Sequence, residues 1–408
     1  FEASVFVQHE GGDWEEKFRN AGILVVYDYS CRKPTLNPVI KMGNLVKKLR
    51  TKRALNQEGK GLLDVCLPEG ADIVVSYSAW CKDWIAFAKN AKSVKYIHGD
   101  AATNPAYRLE AQTKKDVLSQ YDRIVCVSNA AWESFRTVSG LTQNVEMHLN
   151  PLNSDNVRAM AEKKVDLPTD LPVICAVGRL SAEKGFERLV YIHRRLLDQG
   201  IRHRLVIVGD GMDRGYIERT IQATDTQDTV ILAGYQANPY PYMKQSTFLV
   251  NSSFTEGLPV IAMEALCLGV PIVAPVPSVG EVFGGETCGL ITENDNASLE
   301  AGIRKMLTDE EFYRQEIEMR KTLLYPPFCD TCLIELSSEI DSCAQVASVC
   351  FMNKLKEKID KDNIRMPLVV LDPSRCTYEK LNGRYRYRII IKCKNNTAFR
   401  SFIGDVYK

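Results

Sequence analysis

Residues 252–266 read S-S-F-T-E-G-L-P-V-I-A-M-E-A-L, and this stretch decides the fold. It sets Glu256 and Glu264 eight positions apart. The run F-L-V-N at 248–251 predicts a buried strand just before it. Pro259 suits the first turn of a helix, where its missing N–H leaves nothing unsatisfied. Gly269 is a natural stop after the apolar helix. Glu256 is therefore expected in the loop above the strand's carboxyl end, and Glu264 about two turns into the helix. Ligands of open α/β sheets bind at that edge. Two carboxylates there are hydroxyl-binding groups for a polyol, such as a sugar or a ribose.

Outward from this unit, strands and helices alternate from 173 to about 292. Short apolar runs fall at 173–177, 205–208, 230–233, 248–250, 272–274 and 289–291. Amphipathic segments fill most gaps; in 186–197, Phe186, Leu189, Val190 and Leu197 are expected on one face. Apolar runs separated by helical patterns imply a parallel sheet covered on both faces. The first 150 residues repeat the theme more loosely, with strands expected at 4–7, 23–27, 73–76, 94–98 and 124–128. Asn150-Pro151 marks a turn and a hinge. The expected fold class is α/β, with two Rossmann-like halves (1–150 and 151–310) and a cleft between them. From 311 to 408, an alternating strand at 386–392 and an amphipathic helix near 344–358 predict a small α+β module.

The 408 residues are 45% apolar and 25% charged, as in an ordinary soluble globular protein. Net charge is +1, but it is unevenly spread. Residues 351–408 hold 14 Lys+Arg against 6 Asp+Glu, which leaves 38 against 45 in the rest. A basic module joined to a mildly acidic, enzyme-like body is expected. Thirteen cysteines lie scattered without framework spacing. That favours a reducing cytosol, with most of them acting as small core residues. There is no signal peptide and no run of about 18 apolar residues. The chain begins at Phe1 rather than Met, so its natural start is expected to be missing.

Three further motifs carry chemistry. Residues 173–185 read V-I-C-A-V-G-R-L-S-A-E-K-G. A strand ends at Gly178, and Ser181 can cap the following helix. The helix N-terminus attracts phosphate, and Arg179 and Lys184 beside it would neutralise a departing diphosphate. The alternative is a structural turn with two solvated cations. Gly209 and Gly211 in V-G-D-G allow either close approach to a ligand or a plain turn. In Y-I-H-G-D, His98 ends a strand and is expected to point into the crevice. It is either a structural histidine or a site residue, and Asp100 either orients it or binds a sugar hydroxyl. No G-x-G-x-x-G or G-x-x-x-x-G-K-[ST] occurs, which excludes those phosphate loops.

Together, V-G-R-L-S-A-E-K-G-F, V-G-D-G, E-G-L-P-V-I-A-M-E-A and G-V-P-I-V-A-P resemble glycosyltransferase family 4 over about residues 1–310. Upstream, Y-I-H-G-D, D-R-I-V-C-V-S at 122–128 and L-N-P at 149–151 fall where that family has counterparts. The resemblance implies a retaining enzyme of the two-Rossmann-domain (GT-B) fold. It would take a UDP- or GDP-linked sugar and a glycan or lipid-linked acceptor, in cell-envelope polysaccharide or glycolipid synthesis. It would use no metal or other cofactor. Gly178, Arg179 and Lys184 would hold the donor diphosphate, with Gly209 and Gly211 nearby. The segment Gly257 to Val260, through Gly257, Leu258 and Val260 around the N–H-less Pro259, would offer backbone N–H groups. Glu264 would bind the ribose, and Glu256 and His98 would contact the transferred sugar. Two departures are expected to weaken closure. The opening strand unit is absent, since the segment after Gly11-Gly12 resembles the family's second unit. The family's closing helix is also replaced around 309–312.

Residues 312–408 resemble something else, through F-Y-R-Q-E-I-E-M-R-K-T-L-L-Y-P-P-F-C-D, P-L-V-V-L-D-P-S and G-R-Y-R-Y-R-I-I-I-K-C-K-N-N. These look like the C-terminal domain of the primosomal replication-restart helicase, although Asp372 stands where that family has glycine. The likeness implies contact with single-stranded or branched DNA. Arg384, Arg386 and Arg388 alternate along one strand face, with Lys392 in step, while Tyr385 and Tyr387 take the other. Such a basic face suits a phosphate backbone. Cys329 and Cys332 form a single pair on opposite strand faces, a weak basis for a metal. The basic stretch 41–53 is either a solvated helix face or a contact with anionic lipid at the membrane's inner face. The leading expectation is a cytoplasmic transferase fused to a helicase module. A nucleic-acid binder with an inert transferase part, and a sugar-nucleotide binder without turnover, stay open.

Overall fold

The structure is a computed structural model. It describes residues 4–7, 15–27, 71–77, 86, 91–168, 170–276, 278–282, 289–322, 330–361, 368–381, 383–393 and 397–407. The chain divides into two compact units, Phe1–Leu149 and Asn150–Lys408. Gly11-Gly12, the basic stretch 41–53, the Y-P-P-F turn at 325–328 and Cys329 lie outside the described residues.

In the first unit, β1 (Ser4–Val7) pairs with β2 (Leu24–Tyr27) in parallel. A second parallel sheet runs in the order β3 (Ile73–Ser76), β4 (Lys92–Ile97), β5 (Arg123–Cys126), β6 (Val145–Met147). Strand β6 was not anticipated, because three residues with Glu146 in the middle carry no apolar run. Ile97, Ile124, Cys126 and Phe135 form the buried interior. Ser128 caps the helix Asn129–Ser139 by accepting from the Ala131 N–H, and Gly140 ends it at φ 69°.

The second unit opens with six parallel strands, β7 (Val173–Val177), β8 (Arg204–Val208), β9 (Val230–Gly234), β10 (Phe248–Val250), β11 (Ile272–Ala274) and β12 (Leu290–Ile291). Their spatial order is β12-β11-β10-β7-β8-β9. The chain builds β7 to β9 outward, returns to lay β10 against β7, then builds away on the other side. That is the doubly wound Rossmann order, and its crevice lies where the direction reverses. Here the reversal falls between β7 and β10. Along β7, Ile174 and Ala176 enter one core, with Leu189, Ile192 and Ile303. Val173 and Cys175 enter the other, with Leu249, Ala262 and Ala265. Apolar side chains on both faces explain why these strands are continuous apolar runs. In the helix Phe186–Asp198 the buried residues are Phe186, Arg188, Leu189, Val190, Ile192, His193 and Leu196. Leu197, expected there, is only partly buried.

The helix Glu310–Thr322 belongs with this sheet. Phe312 and Tyr313 pack against its core, and the Tyr313 hydroxyl donates to the Thr247 carbonyl at 3.1 Å. Residues 330–407 then form an antiparallel sheet, β13 (Asp330–Ser338), β16 (Arg384–Cys393) and β14 (Val369–Val370), with β15 (Ser374–Leu381) also on β16. Ile334, Ile389 and Ile391 meet Met352, Leu355, Phe399 and Phe402 from helices Asp341–Lys361 and Thr397–Tyr407.

The basic strand face is not a free row of cations. Arg386 is buried and grips the Glu335 carboxylate with two donors. Arg384 donates to the Ser337 carbonyl at 2.9 Å and lies 3.6 Å from Glu339. Lys392 is buried, as is Tyr387 on the core side. Among the described residues no helix is long and apolar enough to cross a membrane, and no cluster of three metal-ligating side chains occurs.

Candidate functional site

Two loops leave the sheet at the β7/β10 reversal. After β7, the Gly178 N–H bonds the Val208 carbonyl and the Leu180 N–H the Asp210 carbonyl, both at 3.0 Å. This backbone-on-backbone packing explains two glycines. A Cβ on Gly209 would lie 1.9 Å from the Gly178 oxygen, and one on Gly211 would lie 2.3 Å from the Leu180 oxygen. Both approach their own chain. A short turn, Ala182–Lys184, follows, and the long helix starts only after Gly185 at φ 63°. Ser181 does not cap it; its hydroxyl donates to Glu183 Oε1 at 2.6 Å. Arg179 points to the same carboxylate at 3.4 Å, and its side chain is 74% exposed.

After β10, the chain is held by its own polar side chains. Asn251 Oδ1 accepts from the Ser253 N–H at 2.8 Å, and the Ser252 hydroxyl donates to the Lys184 carbonyl at 2.8 Å. The Ser253 hydroxyl and Lys184 Nζ both donate to Glu256 Oε1, each at 2.6 Å. The next helix is Val260–Leu268, with Pro259 as its cap rather than in its first turn. Glu264 therefore stands little more than one turn in. The Tyr240 hydroxyl donates to Glu264 Oε1 at 3.0 Å. Burial pushes the Glu264 carboxyl above its usual range, and the Tyr240 bond pulls it back. Tyr240 is itself pushed up to about 12 by burial and by the neighbouring Glu264.

Lys184, Ser252, Ser253, Glu256 and Glu264 line one cavity of about 410 Å³. Of the residues singled out in the sequence, Gly178, Lys184, Glu256, Leu258, Pro259, Val260 and Glu264 are in its wall. Arg179, Gly209, Gly211 and Gly257 are not. Val177, Phe186, Val250 and Ile261 supply apolar wall. A cation, two carboxylates and the start of a helix thus face one space at the reversal point. Such a space suits an anion joined to a polyol.

His98 lies in the other unit, one residue past β4. Its ring stacks on Tyr96 (5.6 Å) and meets Tyr77 (4.4 Å). Burial lowers its pKa, opposed by a hydrogen bond to the Tyr77 backbone. Nε2 is buried without a hydrogen-bond partner among the described residues. Asp100 does not orient it, because that carboxylate accepts from the Ala102 N–H and the Thr103 hydroxyl.

The sequence reading missed Tyr240, Ser253, Arg188 and Asn294. Tyr240 sits in N-P-Y-P-Y, where only a turn is legible. Arg188 falls on the side of its helix that periodicity assigns to water, yet it is buried.

Two family models match the chain: Glycosyl transferases group 1 over residues 157–322, and Primosomal protein N C-terminal domain over residues 321–403. They meet at the end of helix Glu310–Thr322. One curated relative is the N-acetylgalactosamine-N,N'-diacetylbacillosaminyl-diphospho-undecaprenol 4-alpha-N-acetylgalactosaminyltransferase of Campylobacter jejuni. It is 28% identical over 180 residues, 43% of this chain and 48% of that protein. The capsular polysaccharide biosynthesis glycosyltransferase CapM of Staphylococcus aureus is 25% identical over 189 residues, 46% of this chain and 50% of that protein. The chain spans about half the length of these curated relatives. Among solved structures, Anabaena Alr3699/HepE in complex with UDP and glucose aligns at TM-score 0.58 and 14% identity, over 79% of this chain and 86% of that chain. A glycosyltransferase from Rickettsia africae ESF-5 aligns at 0.55 and 15%, over 78% and 84%. At such identities the likeness is one of fold, and the fold is that of GT-B glycosyltransferases.

Proposed function

We propose that the chain is a retaining glycosyltransferase of the family 4 type, moving a sugar from a UDP- or GDP-linked donor to a glycan or lipid-linked acceptor. The observation that carries this reading is the convergence of Lys184, Glu256 and Glu264 on one cavity at the β7/β10 reversal. The group 1 match over the same residues supports it. In this reading the bond from the sugar's C1 to the diphosphate breaks, C1 bonds the acceptor hydroxyl oxygen on the same face, and that hydroxyl's proton goes to the departing diphosphate. Lys184 meets the charge left on the diphosphate, with the N-terminus of helix Val260–Leu268 and, once released from Glu183, Arg179. Backbone groups at Gly178 and from Gly257 to Val260 approach the donor, Glu264 takes a ribose hydroxyl, and Glu256 takes the transferred sugar. His98, whose charged form burial disfavours, is the sugar contact the family 4 reading assigns to the first unit. Balancing charge comes from side chains, so the reading calls on no metal. Envelope polysaccharide or glycolipid synthesis on the cytoplasmic side is the setting in this reading, and CapM is named for capsular polysaccharide biosynthesis.

Donor hydrolysis and transfer assays with UDP- and GDP-hexoses test this. Turnover that disappears in Glu256→Gln and Lys184→Ala is the expected result. Unchanged turnover in both means the site is misassigned.

The match over residues 321–403 favours a second reading for the C-terminal module alone, contact with single-stranded or branched DNA. Of the strand cations it calls on, Arg384 is exposed and Arg388 half-buried, while Arg386, held by Glu335, and Lys392 are buried. Binding should weaken steeply with salt; salt-independent binding, or none, rules it out.

A further inference from the structure

Arg188 is buried three residues into helix Phe186–Asp198, outside the cavity wall, with the Asp295 carboxylate acting on its charge. Burying a guanidinium is costly unless its donors are used. Here they go to one loop and its neighbour. Nε donates to the Ser252 carbonyl at 2.8 Å and an Nη to the Ser253 carbonyl at 2.9 Å. Both Nη atoms reach Asn294 Oδ1 at 3.0 Å. The guanidinium lies 4.0 Å over the Phe254 ring, and Asn294 Nδ2 donates to the Phe254 carbonyl at 2.8 Å.

These carbonyls fall where β10 has ended. The Asn251 N–H makes a bond to β11, at the Val273 carbonyl, and beyond it the chain leaves the sheet. The arginine fork takes the place of a neighbouring strand. Ser252 and Ser253, whose carbonyls it grips, send their hydroxyls to the Lys184 backbone and the Glu256 carboxylate. Gly185 belongs to the same arrangement. A Cβ there would lie 2.3 Å from the Ser252 oxygen and 3.0 Å from Arg188 Nε.

We propose that Arg188, braced by Asn294, is a positioning residue that holds the loop 252–256 and so fixes Glu256 against Lys184 for transfer. The proposal rests on the donor-site reading above. Preorganised groups cost no rearrangement when charge develops, and a misplacement of about 1 Å can cost on the order of a hundredfold in rate.

The test uses Arg188→Ala and Asn294→Ala in the full chain, with two readouts. Asn294 is exposed and outside the cavity wall, so its variant folds even where Arg188→Ala does not. Without ligand, amide exchange over residues 252–256 should quicken by about tenfold in Asn294→Ala while that of β7 and β8 holds. In UDP- and GDP-hexose hydrolysis, kcat should fall about tenfold in Asn294→Ala and about a hundredfold in Arg188→Ala, more than KM changes. Guanidinium ions below denaturing concentration should restore part of the Arg188→Ala rate, and ammonium ions should not. Full kcat in both variants with unchanged exchange overturns the proposal. So does a loss that only tracks the unfolded fraction and is not rescued. Wild-type chain that turns over no donor contradicts the donor-site reading instead, and the exchange readout still shows whether Arg188 holds the loop.

Discussion

Lys184 Nζ lies 2.6 Å from Glu256 Oε1, with side chains only 26% and 14% exposed. The cation proposed for the diphosphate and the carboxylate proposed for the sugar are therefore each other's partner. A diphosphate that takes Lys184 must share it with Glu256 or displace it. Glu256→Gln should then bind UDP or GDP about three- to tenfold more tightly than wild type while losing transfer, because the competing charge is gone. Calorimetric titration with the two nucleotides checks this; weaker binding in the variant would show that Glu256 helps to hold the diphosphate.

Tyr240 and Glu264 form a second pair. Removing the hydroxyl in Tyr240→Phe leaves burial unopposed, so the Glu264 carboxyl titrates higher still. Nucleotide affinity should fall by about tenfold, a charge-assisted hydrogen bond's worth, and fall further as the pH is lowered. Stability runs the other way. A carboxyl whose folded pKa is raised favours the fold at low pH and loses that contribution as pH rises through the folded value. Glu264→Gln should therefore be more stable than wild type at pH 8, with the gap closing below the unfolded pKa. Denaturant melts at pH 8 and below about pH 4 measure it.

A buried chain of neutral groups fixes acid sensitivity elsewhere in the same unit. His203 Nδ1 donates to the Ile201 carbonyl at 2.8 Å, leaving Nε2 to accept from His193 Nδ1 at 2.8 Å. His193 Nε2 faces the Thr229 hydroxyl at 2.9 Å. Burial, with His203 and Arg194 nearby, lowers His193 from 6.5 to about 3. The unfolded chain takes up a proton below about 6.5 and the folded one does not. Stability should drop by up to about 1.4 kcal/mol per pH unit from there toward pH 3. Urea melts of wild type and His193→Gln across that range report it, the variant showing the flatter profile.

Alanine at three glycines separates folding from binding. Gly209→Ala meets backbone at 1.9 Å with φ at 148°, and Gly211→Ala meets it at 2.3 Å. Both should lose about 3 kcal/mol or more. At Gly178 the new methyl would have Phe186 at 3.4 Å as its nearest neighbour and enter the cavity wall. That variant should melt near wild type and bind nucleotide poorly. Thermal melts beside a titration distinguish the two classes.

Strands β7, β8, β10 and β11 were legible because burial on both faces makes each a largely plain apolar run. Strands β13 to β15 and β6 were not, since one-sided or very short strands mix polar and apolar residues. Glu256 and Glu264 were placed at the right edge of the right strand unit, though the helix starts one residue after Pro259 and brings Glu264 nearer the loop. What periodicity cannot show is pairing between distant positions. Arg188 and Asn294 are 106 residues apart, and Arg386 and Glu335 are 51 apart. The first pair hid a brace behind a residue that looked solvated. The second turned an expected basic face into a partly neutralised one. Gly209 and Gly211 carried two meanings in the sequence, and the distances to Gly178 and Leu180 favour the structural one.

The central claim is that Lys184, Glu256 and Glu264 hold a nucleoside-diphosphate sugar. Isothermal titration of the full chain with UDP- and GDP-linked hexoses, beside Lys184→Ala, tests it most directly. The account predicts a single saturable site for one of the two donors, weakened about tenfold or more when the ammonium is removed. No binding of either donor, or binding that Lys184→Ala leaves intact, would contradict it.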